Sequence, residues 1–374
     1  DGRSSRALGD YPSAGFAVVE PRFGSSSDVV VGARLGHVRA WSVPDGREIW
    51  RRQGPEGYTV PLGAKGGEIR VVTVQGDRLS LHSVPERGGE PRLVGTVVGT
   101  EHFGLGENHL AYLQRDRVFV RALDDWSRPR RVGDDSPVDA EVGISPDGRL
   151  VAAVNQQGEI RIWPTAGATR PLRVLRAPGT PWLTFDRRGR RLAAFGVVDG
   201  AALARVFDLE APAGTEPVEL RRSDALFFNG ADFDPTGQWL AAGNVDNTAL
   251  WALGDRRPRV MRSGRGPQAV AFTPDGERLI EASANGVFVW NLSSDASEPS
   301  RPLLQAPLTF PGLALDPSGE RAAISGGGGR VAVLPLAGGP PVELTGFSPY
   351  AQALSVVYAD AGRLVAAAVL IGPR

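Results

Sequence analysis

Residues 269–292 read AVAFTPDGERLIEASANGVFVWNL, and this stretch decides the fold. Three apolar segments (AVAF, RLIEAS and VFVWNL) are separated by two short polar sequences, TPDGE and ANG. Pro presets its own φ, Asp bonds to the nearby backbone and Gly accepts a positive φ, so PDG is turn chemistry. The stretch predicts three antiparallel strands, called a, b and c here, and the segment RPLLQ at 301–305 supplies a fourth, strand d.

The same unit recurs along the chain with a period of about forty residues. Its a-to-b turn returns as ISPDG, FDRRG, FDPTG, LDPSG and YADAG, which with TPDG place glycines at Gly148, Gly189, Gly237, Gly276, Gly319 and Gly362. An anchor position in strand c recurs every 39 to 44 residues, at Trp41, His82, Arg121, Trp163, Phe207, Trp251, Trp290 and Leu334. Four short strands per repeat near forty residues indicate a β-propeller with one blade per repeat. The prediction is an all-β chain of four-stranded antiparallel blades, about eight of them; the alternative is seven blades plus part of a further propeller.

The repeats fill the chain, so residues 1–374 are predicted to form a single propeller domain of about 42-residue repeats. The sequence SRALGD near Ser5 resembles a strand d without its blade, and ALSVVYADAGRLVAAAVLIG at 353–372 resembles strands a and b of a truncated ninth repeat. We therefore expect a ring that this chain does not close by itself. We also expect the chain to be a piece of a longer polypeptide.

Composition excludes some classes of function. Lys and Arg together number 42, as do Asp and Glu, and this balance argues against sequence-independent binding of nucleic acid, which needs a basic stripe. Cysteine is absent, so disulfides and thiolate metal sites are excluded. No run reaches the roughly 18 apolar residues of a membrane-spanning helix. We expect no nucleic-acid partner and no membrane span.

Motifs for catalysis or cofactor binding are weak. The sequence SGGGGR at 325–330 lacks the Gly-Lys-Ser/Thr ending of a phosphate loop and occupies a b-to-c turn position. Four histidines (His37, His82, His102 and His109) show no metal-site spacing, and no GxSxG sequence is present. The repeats are expected to share no polar residue in a fixed position. We therefore predict no catalytic residue, no metal site and no cofactor.

The repeats ISPDGRLVAAVNQQGEIRIWPT, FDPTGQWLAAGNVDNTALWAL and LDPSGERAAISGGGGRVAVLPL resemble those of bacterial WD-repeat proteins. The resemblance is good over about 140–370 and weak over 15–135. Two family features are missing: the Gly-His pair before strand a, and the Trp-Asp dipeptide, since Trp251 is followed by Ala and Trp290 by Asn. The hydrogen-bonded tetrad of that family is therefore in doubt. Packing of Trp between sheets is expected to stabilise the blades instead.

The resemblance implies a non-catalytic scaffold that presents loops to a partner protein or to another domain of the same polypeptide. Such repeats resemble modules appended to bacterial signalling proteins, which implies a cytoplasmic regulatory module. Two alternatives remain open: a propeller-type hydrolase or lactonase with a channel active site, and an extracytoplasmic propeller that docks peptides.

Candidate residues follow from the register. Structural roles are predicted for Trp41, Trp163, Trp251, Trp290, Gly148, Gly237, Gly276 and Gly319. The less regular Trp50 and Trp126 are expected near the surface. The b-to-c turns and d-to-a loops should share one face, and polar residues there are the predicted binding set, because Tyr and Arg are enriched at interface hot spots. That set is Arg34, Tyr58, Gln114, Gln156, Asn244, Asp246 and Arg265.

Overall fold

A computed structural model describes residues 29–371 except for short segments, mostly loops. The segments outside the description are 35–36, 43–47, 54–57, 66–67, 76, 86–88, 100–101, 107, 135–136, 139–140, 223–229, 244–247, 254–257, 262–266, 293–300, 309–311, 317, 327–329, 344–350 and 360–363. For the strands between 29 and 65 and between 351 and 371, only the course of the backbone is described. The turn at Gly362 and the SRALGD sequence near Ser5 lie outside the described residues.

The described residues contain strands and turns but no helix. In chain order the first strands are β1 (Val29–Arg34), β2 (His37–Ser42), β3 (Glu48–Gln53), β4 (Tyr58–Lys65), β5 (Glu68–Gln75), β6 (Arg78–Pro85), β7 (Arg92–Val98), β8 (Phe103–Leu105), β9 (His109–Gln114), β10 (Arg117–Ala122), β11 (Arg130–Val132), β12 (Glu141–Ile144), β13 (Leu150–Val154), β14 (Glu159–Pro164), β15 (Arg173–Arg176) and β16 (Trp182–Phe185). The remaining strands are β17 (Arg191–Val198), β18 (Ala201–Asp208), β19 (Val218–Arg222), β20 (Gly230–Phe233), β21 (Trp239–Gly243), β22 (Thr248–Ala252), β23 (Pro258–Met261), β24 (Pro267–Phe272), β25 (Arg278–Ser283), β26 (Gly286–Asn291), β27 (Arg301–Gln305), β28 (Gly312–Leu315), β29 (Arg321–Gly326), β30 (Arg330–Pro335), β31 (Val342–Glu343), β32 (Ala351–Ala359) and β33 (Leu364–Ile371).

The predicted β-propeller is confirmed. Among the described residues the strands form eight sheets, seven of which are four-stranded antiparallel meanders in the order a-b-c-d, such as β12-β13-β14-β15. We number the blades 1 to 8 in the order of their strand-c anchors. Every anchor lies in the strand next to the outermost strand of its sheet, from Trp41 in β2 to Leu334 in β30. The glycine-rich sequence at 325–330 also joins strands b and c, because Gly326 pairs with Arg330.

Blade 1 contains both ends of the described chain. Its five strands run β3-β2-β1-β33-β32, and β1 pairs in parallel with β33, with Ala33 opposite Ala368. The innermost strand β32 contacts β28 and β29 of blade 8 and β4 of blade 2. The expectation of an unclosed ring with a ninth repeat is therefore wrong. Pairing the two ends satisfies backbone groups that open edges would expose, and no tight turn restricts strands from opposite ends of a chain to antiparallel pairing.

Buried side chains fill the spaces between neighbouring blades. Trp251 packs with Ala193, Ala204 and Phe195 of blade 5, and Trp290 packs with Ala241 and Leu250 of blade 6. Trp163, Trp251 and Trp290 are at most 1% exposed, whereas the side chain of Trp41 lies outside the described residues. An indole has room on the preceding sheet because that sheet carries alanine in strand b.

The expected surface position of Trp126 is wrong. Trp126 lies in the c-to-d loop of blade 3 and is only 6% exposed, because it packs with Leu79, Leu81 and Val97 of blade 2. The Arg121 guanidinium lies 5.3 Å from the centre of its ring, within cation–π distance. Trp50, the other tryptophan expected at the surface, has no described side chain.

The a-to-b turns have one geometry in blades 4 to 8. Their glycines (Gly148, Gly189, Gly237, Gly276 and Gly319) have φ between 64° and 75°, as the PDG pattern predicts. In each turn the glycine N–H donates to the carbonyl three residues earlier, as Gly276 does to Thr273 at 2.8 Å. The turn glycines are therefore required for their conformation.

Replacing Gly276 with Ala tests this requirement. The added Cβ would meet only Pro235 Cδ at 3.7 Å, an ordinary contact, so the loss comes from the positive φ alone. We expect the free energy of unfolding to fall by about 1 to 2 kcal/mol in urea titration. Gly276→Asn should cost less, since Asn tolerates the left-handed region. Equal stability of the Ala variant and the unaltered protein would contradict the turn assignment.

Candidate functional site

The propeller has two faces with different loops. Since strands a to d run antiparallel, the b-to-c turns and d-to-a loops lie at one end of each blade, here called the loop face. The a-to-b turns and c-to-d loops lie at the other end, the turn face. The predicted shared face is therefore confirmed by the strand order. Whether a partner binds there stays a prediction.

Few members of the predicted binding set have described side chains. Arg34 ends β1 and Tyr58 begins β4, both at the loop-face ends of their strands, and only their backbones are described. Asn244, Asp246 and Arg265 lie outside the described residues. Gln114 and Gln156 are described, and both lie at b-to-c turns, of blades 3 and 4 respectively. Gln114 and Gln156 thus lie on the loop face of adjacent blades.

Gln114 links blades 3 and 2 by a hydrogen bond. Its Nε2 donates to the carbonyl of Val98, at the end of strand d in blade 2, at 2.5 Å. The following residues Arg115 and Asp116 have φ of 49° and 58°, and the Asp116 carbonyl accepts a hydrogen bond from Val138 N at 3.1 Å. Two successive positive φ values match the tight hairpin turn that follows the twist of its strands. Gln114 therefore has a bond within the fold, whereas Arg115 and Asp116 are exposed on the loop face.

A cleft opens beside the b-to-c turn of blade 4. Its volume is about 420 Å³, and it is lined by Asn155, Gln157, Glu159, Arg161, Arg176 and Pro178. Gln156, a member of the predicted set, is exposed and lies in the same turn. The cleft has a volume in the lower part of the range typical of small-molecule sites, and amide, carboxylate and guanidinium side chains stand along its lining. Such a lining suits hydrogen-bonded recognition.

Local chain geometry shapes the cleft. Gly158 has φ of 77°, and a Cβ there would lie 2.4 Å from Pro178 Cα, so only glycine lets the turn approach the d-to-a loop this closely. Ala177 N donates to Gly158 O at 2.7 Å, and Asn155 Oδ1 accepts from Glu159 N at 2.8 Å. These bonds fix the backbone that carries the polar lining.

The charges of the cleft are partly paired. The Arg161 guanidinium bonds to the Glu159 carboxylate through Nε at 2.8 Å and Nη2 at 2.6 Å, and its Nη1 lies 3.9 Å from Asp134 Oδ1. Arg176 stands opposite Glu159 in the strand register and is exposed. Among the described residues no ion pair or hydrogen bond of its guanidinium is found. Arg161 is therefore held in place, and Arg176 remains available at the edge.

A second polar group lies nearer the ring centre. His102 Nδ1 is 3.5 Å from Glu141 Oε2, at the start of the inner strands of blades 3 and 4, and both side chains are largely buried. Within the part of the chain that the structure describes, no three His, Asp or Glu side chains cluster as metal ligands would. The pair joins two blades at the loop-face end of the channel.

On the turn face, a polar residue does recur in a fixed position, contrary to the expectation from the sequence. In blades 4 to 8 the residue before the Pro-like position of the a-to-b turn is buried and accepts a hydrogen bond from the backbone N–H five residues later, at 2.6 to 3.1 Å. These residues are Ser145, Asp186, Asp234, Thr273 and Asp316. These hydrogen bonds cap the a-to-b turns.

Ionisation of the turn carboxylates depends on this capping. Burial opposes the ionisation of Asp147, but hydrogen bonds from Ser145 and Arg149 outweigh it and hold the pKa of Asp147 below its usual value. Burial is the stronger effect at Asp186 and raises the pKa of its carboxyl, despite hydrogen bonds from the Arg190 and Arg191 N–H groups and the positive charge of Arg191. On the turn face, these carboxylates are therefore bonded to residues of their own turns.

The strand-c anchors have diagonal partners in strand b that the sequence analysis missed. Thr73 Oγ1 lies 3.2 Å from His82 Nε2, Arg121 Nε donates to Tyr112 Oη at 3.1 Å, and Trp290 Nε1 donates to Glu281 Oε2 at 2.8 Å. Each pair is separated by nine residues, a spacing that could have revealed it. Burial lowers the pKa of His82, which favours the neutral imidazole beside Thr73. In these three repeats the anchor thus forms a side-chain hydrogen bond with strand b.

Comparison with known proteins supports the fold. No family model and no curated protein sequence matches the chain. It is similar to a chain in a crystal structure of the mitotic checkpoint complex, with 17% identity, a TM-score of 0.52 and coverage of 71% of this chain and 82% of that one. It is also similar to apo AztD from Citrobacter koseri, with 11% identity, a TM-score of 0.60 and coverage of 91% and 97%. At these identities the likeness concerns the propeller fold alone.

Proposed function

We propose that this chain is a non-catalytic interaction scaffold whose loop face binds a partner protein or another domain of the same polypeptide. The observation that carries the proposal is the cleft on blade 4, where amide, carboxylate and guanidinium groups stand on a turn fixed by Gly158 and Asn155. Loops on a stiff frame are where recognition residues concentrate. The repeated blades supply that frame.

The resemblance of the repeats to bacterial WD-repeat proteins supports a finer proposal. The chain acts as a regulatory module of a bacterial multidomain signalling protein in the cytoplasm, and it needs no cofactor. Among the described residues there is no helix with the length and hydropathy that crossing a membrane requires. The likeness to a chain of the mitotic checkpoint complex, itself an assembly of proteins, is in keeping with an interaction role.

Site-specific photocrosslinking tests which face binds. A photoreactive phenylalanine replaces Gln156 on the loop face in one variant and Arg188, exposed on the turn face of blade 5, in the other. We expect a crosslinked partner from position 156 and none from position 188. Crosslinking from position 188 alone would contradict the proposal.

Affinity measurements with the purified partner then test which loop-face residues contribute to binding. Changing Gln156 and Gln157 together to Ala should weaken binding about tenfold, the effect of losing one or two central contacts. The sequence-based prediction for Tyr58 and Arg265 is tested by changing both to Ala in the same assay. Arg188→Ala serves as the control and should leave the dissociation constant unchanged.

A further inference from the structure

The outer strand of blade 4 has an unusual surface. In β15 Val174 is 53% exposed, and just before the strand Leu172 is 60% exposed. Because Glu159 pairs with Arg176 and Arg161 with Val174, these side chains lie on the same side of the sheet as the cleft. Leu172, Val174 and Arg176 thus form an exposed row, called the β15 stripe here, that continues from the cleft along the rim.

The stripe is exposed because the neighbouring blade ends early. Strand d of blade 3, β11, has only three residues, and residues of this strand and just after it bond to the c-to-d loop of blade 4. Gly133 N donates to Ala168 O at 2.8 Å, and Arg130 Nη1 donates to Thr165 O at 3.0 Å. The apolar side chains of Leu172 and Val174 therefore face water.

The backbone of β15 is also an edge. It is the last strand in the order β12-β13-β14-β15, so one side of it pairs with no strand of the described residues. Proteins usually protect such edges with charges, prolines or bulges, because an unpaired edge can receive an added strand. Here the edge carries Leu and Val beside Arg. An exposed apolar edge of this kind suits an extended peptide that joins the sheet through backbone hydrogen bonds.

Charge defines the peptide that fits. Residues 160–185 contain Arg161, Arg170, Arg173 and Arg176 and no Asp or Glu. Arg161 is paired with Glu159, Arg173 donates to the carbonyls of Leu209 and Ala211, and Arg170 precedes the stripe. Arg176 is therefore the cation within the stripe. A carboxylate opposite Arg176 would form a charge-assisted bond at the mouth of the cleft.

We propose that β15 receives an extended segment of a partner protein as a fifth, antiparallel strand of blade 4, with an acidic residue opposite Arg176 and apolar residues opposite Val174 and Leu172. In an antiparallel strand this order reads acidic-x-apolar-x-apolar, because alternate residues share a face. The inference rests on the proposed function, since it names the chemistry of one partner segment. It adds a rim site that continues from the loop-face cleft.

Fluorescence anisotropy with synthetic peptides tests the proposal. The probe is a labelled Ser-Glu-Thr-Val-Thr-Leu-Ser peptide with blocked ends, and its matched control has Lys in place of Glu. We expect the Glu peptide to bind at least about fivefold more tightly than the Lys peptide, and Arg176→Glu to reverse this preference. Arg188→Glu, the same change at an exposed turn-face arginine, should alter neither affinity.

Backbone pairing has its own test. Ala177 N bonds to Gly158 O on the β14 side, so by alternation Val174 and Arg176 direct their backbone groups to the open edge, opposite the Val and Glu of the peptide. A Glu peptide with N-methyl groups on its Glu and Val residues should therefore lose binding, while methylation of the two Thr amides should be tolerated better. Equal affinity of Glu and Lys peptides, an unchanged preference in Arg176→Glu, or no binding of either peptide would overturn the proposal. Sedimentation that shows dimers abolished by Arg176→Glu would also overturn it, because the edge would then be covered by a second copy. Photocrosslinking at position 156 can succeed when the peptide fails, so the two proposals fail separately.

Discussion

Replacing Trp290 with Ala is expected to lower the free energy of unfolding by about 3 to 5 kcal/mol, and Trp251→Ala should do the same. Both indoles are at most 1% exposed and fill the space between neighbouring sheets. At position 290 the loss also removes the donor that bonds to the buried Glu281 carboxylate at 2.8 Å. Chemical denaturation of the purified chain measures the change.

Two further variants separate packing from hydrogen bonding. Trp290→Phe keeps most of the ring but leaves Glu281 without this donor, so it should cost about 1 to 3 kcal/mol. Trp163→Phe is the matched control, because Trp163 Nε1 has no hydrogen-bond partner among the described residues. It should cost less than Trp290→Phe. If the two Phe variants are equally stable, the Glu281 bond contributes nothing to the blade. As an exposed control, Val197→Ala should change stability by less than about 0.5 kcal/mol.

Replacing Asp234 with Ala should cost about 3 kcal/mol, the second largest effect expected. The Asp234 carboxylate is 3% exposed and accepts hydrogen bonds from Trp239 N at 2.6 Å and Thr236 N at 3.0 Å. Without it those donors lose their acceptor inside the a-to-b turn of blade 6. Thermal and urea unfolding measure the loss.

A conservative and an exposed variant serve as controls for Asp234. Asp234→Asn keeps one acceptor oxygen and should cost clearly less than Asp234→Ala. Asp208→Ala removes an exposed carboxylate that accepts a single bond, from Glu210 N at 2.9 Å, and should cost under about 1 kcal/mol. Equal effects of Asp234→Ala and Asp208→Ala would show that burial of the turn carboxylate does not matter.

The candidate site was only partly predictable. The shared face of the b-to-c turns and d-to-a loops follows from strand order alone, so the sequence predicted it and placed Gln156 on it. The cleft beside Gln156 was not predicted, because it depends on the approach of Gly158 to Pro178 and on the cross-strand position of Arg176. Gln114 was predicted as a binding residue on the same grounds, yet its amide bonds to Val98 of the preceding blade.

The sequence by itself determined the repeating blade: its strands, its PDG turns with positive-φ glycines, and the strand-c anchors. These features depend on residues that are close together in the chain. Because the pattern recurs about every forty residues, it remains recognisable even where one repeat is degenerate. Only the tertiary structure decided that β32 and β33 complete blade 1, that Trp126 is buried and that the β15 stripe is exposed. Each of these depends on which surfaces meet across blades. Contacts between residues distant in sequence leave no local pattern from which to read them.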